Sequence, residues 1–340
     1  MKLIDTRDAV GQVLCHDLTR IVRGEMKGVQ FKKGHIVTEE AIPMLLSMGK
    51  ENLYIYEMDE YKLHEDDAAE RLYRLINNAH MTRRGPSEGK IELIADADGL
   101  FISDLDRMEK INSIGEIIIA ARHTGSVVKA GDKLCGTRVI PLVIDKQKIE
   151  EAERIAGEKP LMALAPFKAQ RAGVITTGSE VYKGRITDTF TPVVVDKLKA
   201  YGIETAAHTV TDDSAEMILS AIADMRKMGL DMLLLTGGMS VDPDDRTPSA
   251  IRESGADIVS YGAPVLPGAM FLVGYYPDGT PVMGLPGCVM YAKTTIFDIL
   301  LPYAAAGVPI DRLTIARMGN GGLCLGCDNC TYPRCGFGKY

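Results

Sequence analysis

Between Arg171 and Ala305 the sequence alternates short, continuous apolar runs with stretches of helical periodicity, and turn residues separate each from the next. "RAGVITTG", "IETAAHTV", "LDMLLLTGG", "AMFLVGYY" and "PVMGLP" read as strands; "TDTFTPVVVDKLKAYG", "DSAEMILSAIADMRKMG", "RTPSAIRESG" and "GCVMYAKTTIFDILLPYAA" read as helices. Apolar runs this short suit strands buried on both faces, and helical spacers between them suit crossovers. The expected fold class is therefore α/β, a mainly parallel sheet sandwiched by helices. Thr247 is placed to cap one helix, and Pro248 falls in its first turn, where a missing N–H costs nothing. Right-handed crossovers put the loops that follow the parallel strands on one edge, where α/β proteins bind ligands.

Residues 1–168 have a different texture, with short strands, glycine turns and a few helices. This is the pattern of a β-rich α+β N-terminal region of one or two subdomains, the break falling near 58–64. "TEEAIPMLLSMG" predicts a helix capped by Thr38 and closed by Gly49. "EDDAAERLYRLINNAH" predicts another, with Asp66 and Asp67 near its positive end. The division expected from sequence is thus 1–168, an α/β domain at 169–306, and a cysteine-rich tail at 307–340.

Three loops should meet at the sheet edge. "TTGSE" supplies Thr176, Thr177, Gly178, Ser179 and Glu180, hydroxyls and backbone N–H groups at a helix start, which suit an anionic group. "TGGMSVDPDDR" supplies Gly237 and Gly238 for close backbone approach, the Ser240 hydroxyl, and Asp242, Asp244 and Asp245 as oxygen ligands for a hard cation such as Mg2+. "GLPGC" adds Pro286 and Gly287, with Cys288 at an expected helix start. There its thiol is either a small buried hydrophobe or a group of lowered pKa.

Taken in order and spacing, "TTGSE", Asp188 in "ITDTF", "VTDD" at Val210–Asp213, "TGGMSVDPDD" and "GLPG" resemble the molybdopterin-binding domain of molybdopterin molybdenumtransferases, molybdopterin adenylyltransferases and gephyrin. The resemblance implies that the "TTG" turn and the Gly-Gly loop cradle the phosphate of molybdopterin or of its adenylylated form. It makes Asp245 and Asp188 the catalytic carboxylates. The implied reaction is Mg2+-dependent cleavage of adenylyl-molybdopterin with insertion of molybdate and release of AMP. Adenylyl transfer and a non-catalytic carrier that hands the cofactor to a recipient molybdoenzyme are the alternatives. The family also implies a homo-oligomer, dimer or trimer. The chain departs from the molybdenumtransferase pattern where Asp242 follows "SV", where Cys288 and Val289 follow "LPG", and in lacking an "MDGYA"-type motif.

Four of the seven cysteines, Cys324, Cys327, Cys330 and Cys335, crowd the last seventeen residues with the spacing C-x2-C-x2-C-x4-C. Such a cluster suits a zinc ion or an iron–sulfur cluster better than disulfides, and its glycines suggest a mobile tail. The six histidines show no metal-ligand spacing. A formal net charge of −7 without a basic run argues against nucleic acid as a partner. No apolar run is long enough for a bilayer and the N-terminus lacks a signal-peptide core, so no membrane role and a cytoplasmic location are expected.

Overall fold

The computed structural model describes residues 2–22, 26–55, 60–240, 242 and 245–340. The chain forms two compact units: Met1–Ile94 with Ser103–Ala121 and Lys133–Ala163, and Ala95–Ile102 with Arg122–Asp132 and Leu164–Tyr340. Part of the break expected near 58–64 lies outside the described residues.

The second unit is built on a six-stranded sheet of β1 (Arg171–Thr177), β2 (Glu204–Thr211), β3 (Met232–Thr236), β4 (Asp257–Tyr261), β5 (Leu272–Tyr275) and β6 (Pro281–Leu285), in the order β2-β1-β3-β6-β5-β4. The first four in that order are parallel; β5 and β4 add antiparallel. Its helices are α1 (Ser179–Tyr182), α2 (Phe190–Lys199), α3 (Ala215–Lys227), α4 (Thr247–Glu253), α5 (Ile296–Ala306) and α6 (Arg312–Arg317). Successive side chains on a strand point to opposite faces, and the core divides accordingly. Ala172, Val174, Met232, Leu234, Met283 and Leu285 join the α2 residues Phe190, Val194 and Leu198, and most of α5, in one core. Ile175, Leu233, Leu235 and Val282 join Ile218, Ile222 and Met225 of α3 and Ala250 and Ile251 of α4 in the other. Helices on both faces explain why the strands read as unbroken apolar runs rather than alternating ones. Each fully buried aliphatic side chain contributes about 1.5–3 kcal/mol over leaving it in water.

Some local expectations are corrected. The N-cap position of α4 is Arg246, which caps with no side chain, because Thr247 turns its hydroxyl elsewhere. Likewise Glu40, not Thr38, occupies the N-cap of the Ala41–Ser47 helix. The helix expected to run on from Gly287 is interrupted: Gly287–Met290 is a 3-10 turn, and α5 begins only after Thr295, whose hydroxyl and Asp298 form a capping box. Strand β4 gave no alternation signal strong enough to read, and it lies at the sheet edge with half-buried and exposed residues.

The first unit contains a four-stranded antiparallel sheet that includes Lys90–Ala95, Ile117–Ala121 and Lys133–Val139, with the amphipathic helices Glu65–Ile76 and Lys146–Ala156. A small cluster of Ala9, Leu14, Leu18, Val37, Leu45 and Leu53 forms a separate core near the N-terminus. Among the described residues, no helix is long and apolar enough to cross a membrane.

Candidate functional site

Strand β1 is the point at which the chain changes direction across the sheet, since β2 lies on one side of it and β3 on the other. Loops diverge at such a point and leave a crevice outside the carboxyl ends of the strands. The register brings Thr177, Thr211, Thr236 and Leu285 to that edge together: Thr177 pairs with Thr211, Thr176 with Thr236, and Thr236 with Leu285.

Two glycines bring the first two loops into contact. Gly237 and Gly238 have φ of +86° and +56°, and a Cβ on Gly237 would stand 2.1 Å from the Thr177 carbonyl oxygen. On Gly238 it would stand 2.8 Å from Thr247 Oγ1. No side chain fits at the first position, and the positive φ penalises one at either. Thr177 Oγ1 donates to the Thr236 carbonyl (3.1 Å) and Thr247 Oγ1 to the Gly237 carbonyl (2.9 Å). The hydroxyl expected to cap α4 instead pins the glycine loop. Two further hydroxyls at this edge, Thr211 Oγ1 and Thr236 Oγ1, are buried without a hydrogen-bond partner. Buried polar atoms are rarely left so.

Asp188 lies where the chain enters α2. Its Oδ1 accepts from the N–H groups of Phe190 (2.9 Å) and Thr191 (3.0 Å), and its Oδ2 from Thr191 Oγ1 (2.6 Å) and Thr176 Oγ1 (3.1 Å). Burial pushes this carboxyl up, but hydrogen bonds from the Thr191 hydroxyl, the two backbone N–H groups and Thr176 outweigh it and hold the pKa below the usual range. His208 Nε2 lies 3.0 Å from Thr176 Oγ1 and 3.1 Å from Thr191 Oγ1, completing the cluster. Nothing in the spacing of the histidines marks His208. Its position on β2 beside β1, paired with Val174, brings it there.

The "TTGSE" turn is held by the "VTDD" segment, since Asp213 Oδ2 accepts from the Ser179 N–H (2.8 Å) and the Thr211 carbonyl accepts from the Gly178 N–H (3.1 Å). Thr176 and Thr177 are buried, Gly178 and Ser179 half-buried, and Glu180 is exposed. In the second loop Asp245 Oδ2 accepts from the Ser240 N–H (2.8 Å), and Tyr261 donates to the Met239 carbonyl (3.0 Å). Burial, and then the nearby Asp245 carboxylate, raise the Tyr261 pKa. Asp242 is exposed, and its carbonyl accepts from the Asp245 N–H (3.0 Å). Asp244 lies outside the described residues. Among those described, no three His, Cys, Asp or Glu side chains stand together as a ready-made metal site.

The third loop abuts the second, for Gly284 and Met239 are in such contact that a Cβ on the glycine would meet the Met239 side chain at 2.5 Å. Pro286 is buried and Gly287 exposed. Cys288 is half-buried, and burial pushes its thiol pKa up, which favours the reading of a small buried side chain. The short turn here lacks the summed dipole of a long helix.

The tail is docked rather than mobile. Phe337 is buried in the core beside α5, the Tyr332 hydroxyl donates to the Asp298 carbonyl (3.2 Å), and the Cys324 N–H donates to the Leu266 carbonyl (2.8 Å). Aromatic anchors override the flexibility suggested by the glycines.

Residues 173–306 match the family described as a probable molybdopterin binding domain. Residues 3–57 match a domain of unknown function. Among curated proteins, a CinA-like protein of Mycobacterium tuberculosis is 33% identical over 90 residues, 26% of this chain and 21% of that protein. The matched segment therefore spans about a fifth of that relative's length. Among solved structures, the molybdopterin biosynthesis enzyme MoaB of Thermus thermophilus is 22% identical with a TM-score of 0.35, covering 42% of this chain and 98% of its own. The Mog protein of Mycobacterium ulcerans is 21% identical with a TM-score of 0.34, covering 40% and 93%. The tungsten cofactor synthesizing protein MoaB of Pyrococcus furiosus is 20% identical with a TM-score of 0.33, covering 40% and 91%.

Proposed function

We propose that the edge at β1 and β3 binds adenylyl-molybdopterin and cleaves its phosphoanhydride as molybdate is taken up, releasing AMP. The observation that supports this reading best is the closure of the Gly237–Gly238 loop onto Thr177, within a domain that matches the probable molybdopterin binding family. Backbone N–H groups and threonine hydroxyls, two of them buried without a partner, offer donors to phosphate oxygens without adding bulk. Asp188 acts here as a positioning residue. Its oxygens are engaged with Thr176, Thr191 and the start of α2, so it fixes the floor of the crevice.

Asp242 and Asp245 would repel a phosphate brought to this edge unless a cation lay between them. A Mg2+ ion needs only one or two carboxylates when substrate phosphates complete its shell. Asp245 and Asp242 are carboxylates of the kind that would supply such a donor set. Bound there, Mg2+ would neutralise charge that develops on the leaving phosphate. Ser240 orients Asp245 through its N–H, and Tyr261 holds the Met239 carbonyl.

The test is AMP release from adenylyl-molybdopterin under anaerobic conditions with Mg2+ and molybdate, comparing wild type with Asp245→Asn. Release that depends on molybdate and falls at least about a hundredfold in the variant supports the reading, that being the usual effect of removing a group that stabilises transition-state charge. Tight pterin binding with no release in either protein would replace it with a carrier. ATP-dependent adenylylation of molybdopterin would replace it with adenylyl transfer.

A further inference from the structure

The cysteine-rich tail plays no part in the proposed pterin chemistry, yet it is docked and its four thiols share one space. Cys324, Cys327, Cys330 and Cys335 all line a single cavity of about 540 Å³, walled on its apolar side by Leu323, Leu325 and Phe337. All four are free thiols, Cys327 and Cys330 exposed and Cys324 and Cys335 half-buried. They are spaced C-x2-C-x2-C-x4-C, with Pro333 two residues before the last.

We propose that these four cysteines hold a [4Fe–4S] cluster. A single zinc ion would draw all four sulfurs to about 2.3 Å from one point, whereas these four are spread around the wall of one cavity. A [4Fe–4S] core takes one thiolate per iron, so its four sulfurs stand apart around a volume. Thiols arranged round a cavity far larger than one ion match the second demand. Three cysteines at successive x2 spacings are also the run that wraps such cores.

The surroundings suit an anionic, thiolate-bound cluster. Lys293 donates from its ammonium to the Asp328 carbonyl (3.0 Å), which places a cation in the stretch between Cys327 and Cys330. Thr294 Oγ1 lies 3.5 Å from Cys330 Sγ, within reach of a hydrogen bond to sulfur. The ends of the ligand segment are fixed by the Leu266–Leu323 bridge and by Phe337 in the core, so the loop between them can close on a cluster without undocking. Lys293 and Thr294 belong to the segment that begins at Gly287 in the third loop of the pterin edge, and this joins the two sites along the chain.

The test uses the full chain, purified anaerobically and reconstituted with ferric iron, sulfide and a thiol reductant. Iron and acid-labile sulfide are counted per chain, and visible absorption is recorded before and after reduction with dithionite. About four irons and four sulfides per chain are expected, with absorption that bleaches on reduction. Cys327→Ser and Cys330→Ser should lose both, while Asn329→Ser, an exposed neighbour, should keep them. One zinc per chain without iron, or no metal at all, would overturn the proposal, as would iron retained in both serine variants. The wild-type count decides the matter by itself should a variant fail to fold. None of these readouts involves pterin, so failure here leaves the reading of the β1–β3 edge untouched.

Discussion

Gly237 shows how much one missing side chain can decide. Its φ of +86° and the 2.1 Å that would separate a Cβ from the Thr177 carbonyl both forbid a substituent. An alanine placed where φ is positive destabilises by more than the ~0.4–1 kcal/mol that glycine removal gains in compatible places. Gly237→Ala is therefore expected to lower stability by more than about 1 kcal/mol in urea unfolding and to weaken pterin binding further. A variant as stable as wild type, with unchanged binding, would show that the loop does not close on Thr177. At this scale the sequence was legible wherever a residue's chemistry is local, as with the glycine pair and the Asp188 turn. It hid His208 and the part Thr247 plays in holding the glycine loop, because both arise from partners elsewhere in the chain: Thr176 and Thr191 for His208, Gly237 for Thr247.

At the scale of elements, strand pairing creates electrostatic groupings that no window of sequence contains. Glu92 on the strand Lys90–Ala95 is flanked by Lys90 on its own strand and by Lys133 on the neighbouring one, at 2.5 and 2.6 Å. The hydrogen bonds from Lys133 and Lys90 outweigh burial and draw its pKa from 4.5 down to about 2. A carboxyl whose folded pKa is depressed stabilises the fold fully above its unfolded value and loses that contribution as pH falls through the folded one. The stability gap between wild type and Glu92→Gln should thus be constant at neutral pH, then close between pH 4.5 and about 2. Urea midpoints measured across that range check it, and a gap independent of pH would contradict the pairing. The helices Phe190–Lys199, Ala215–Lys227 and Thr247–Glu253 followed readily from periodicity, whereas β4 did not, since an edge strand with no fully buried residue carries little pattern.

At the scale of the whole molecule, the second unit is discontinuous in sequence. It recruits Ala95–Ile102 and Arg122–Asp132, and through them the strands Gly99–Ser103 and Ser126–Val128, which pair with each other. Leu100 is wholly buried in the core that α5 helps to build, and Gly125 abuts Tyr303 so closely that a Cβ there would meet its hydroxyl at 2.6 Å. A fragment beginning at residue 164 lacks these pieces. It should melt below the intact chain and leave Tyr303 accessible, with tyrosine fluorescence quenching as the check; equal melting would show the recruited strands to be dispensable. The sequence by itself determined the α/β class, most of the strands and helices between Arg171 and Ala305, and the glycine and aspartate loops, since hydrophobic periodicity and turn chemistry are properties of neighbouring residues. Only the tertiary structure decided which threonines gather at the carboxyl edge of the sheet, that the four cysteines line one cavity, and that the tail is anchored by Tyr332 and Phe337. Those facts depend on sheet order and on burial against distant residues, and neither is a property of any local stretch of chain.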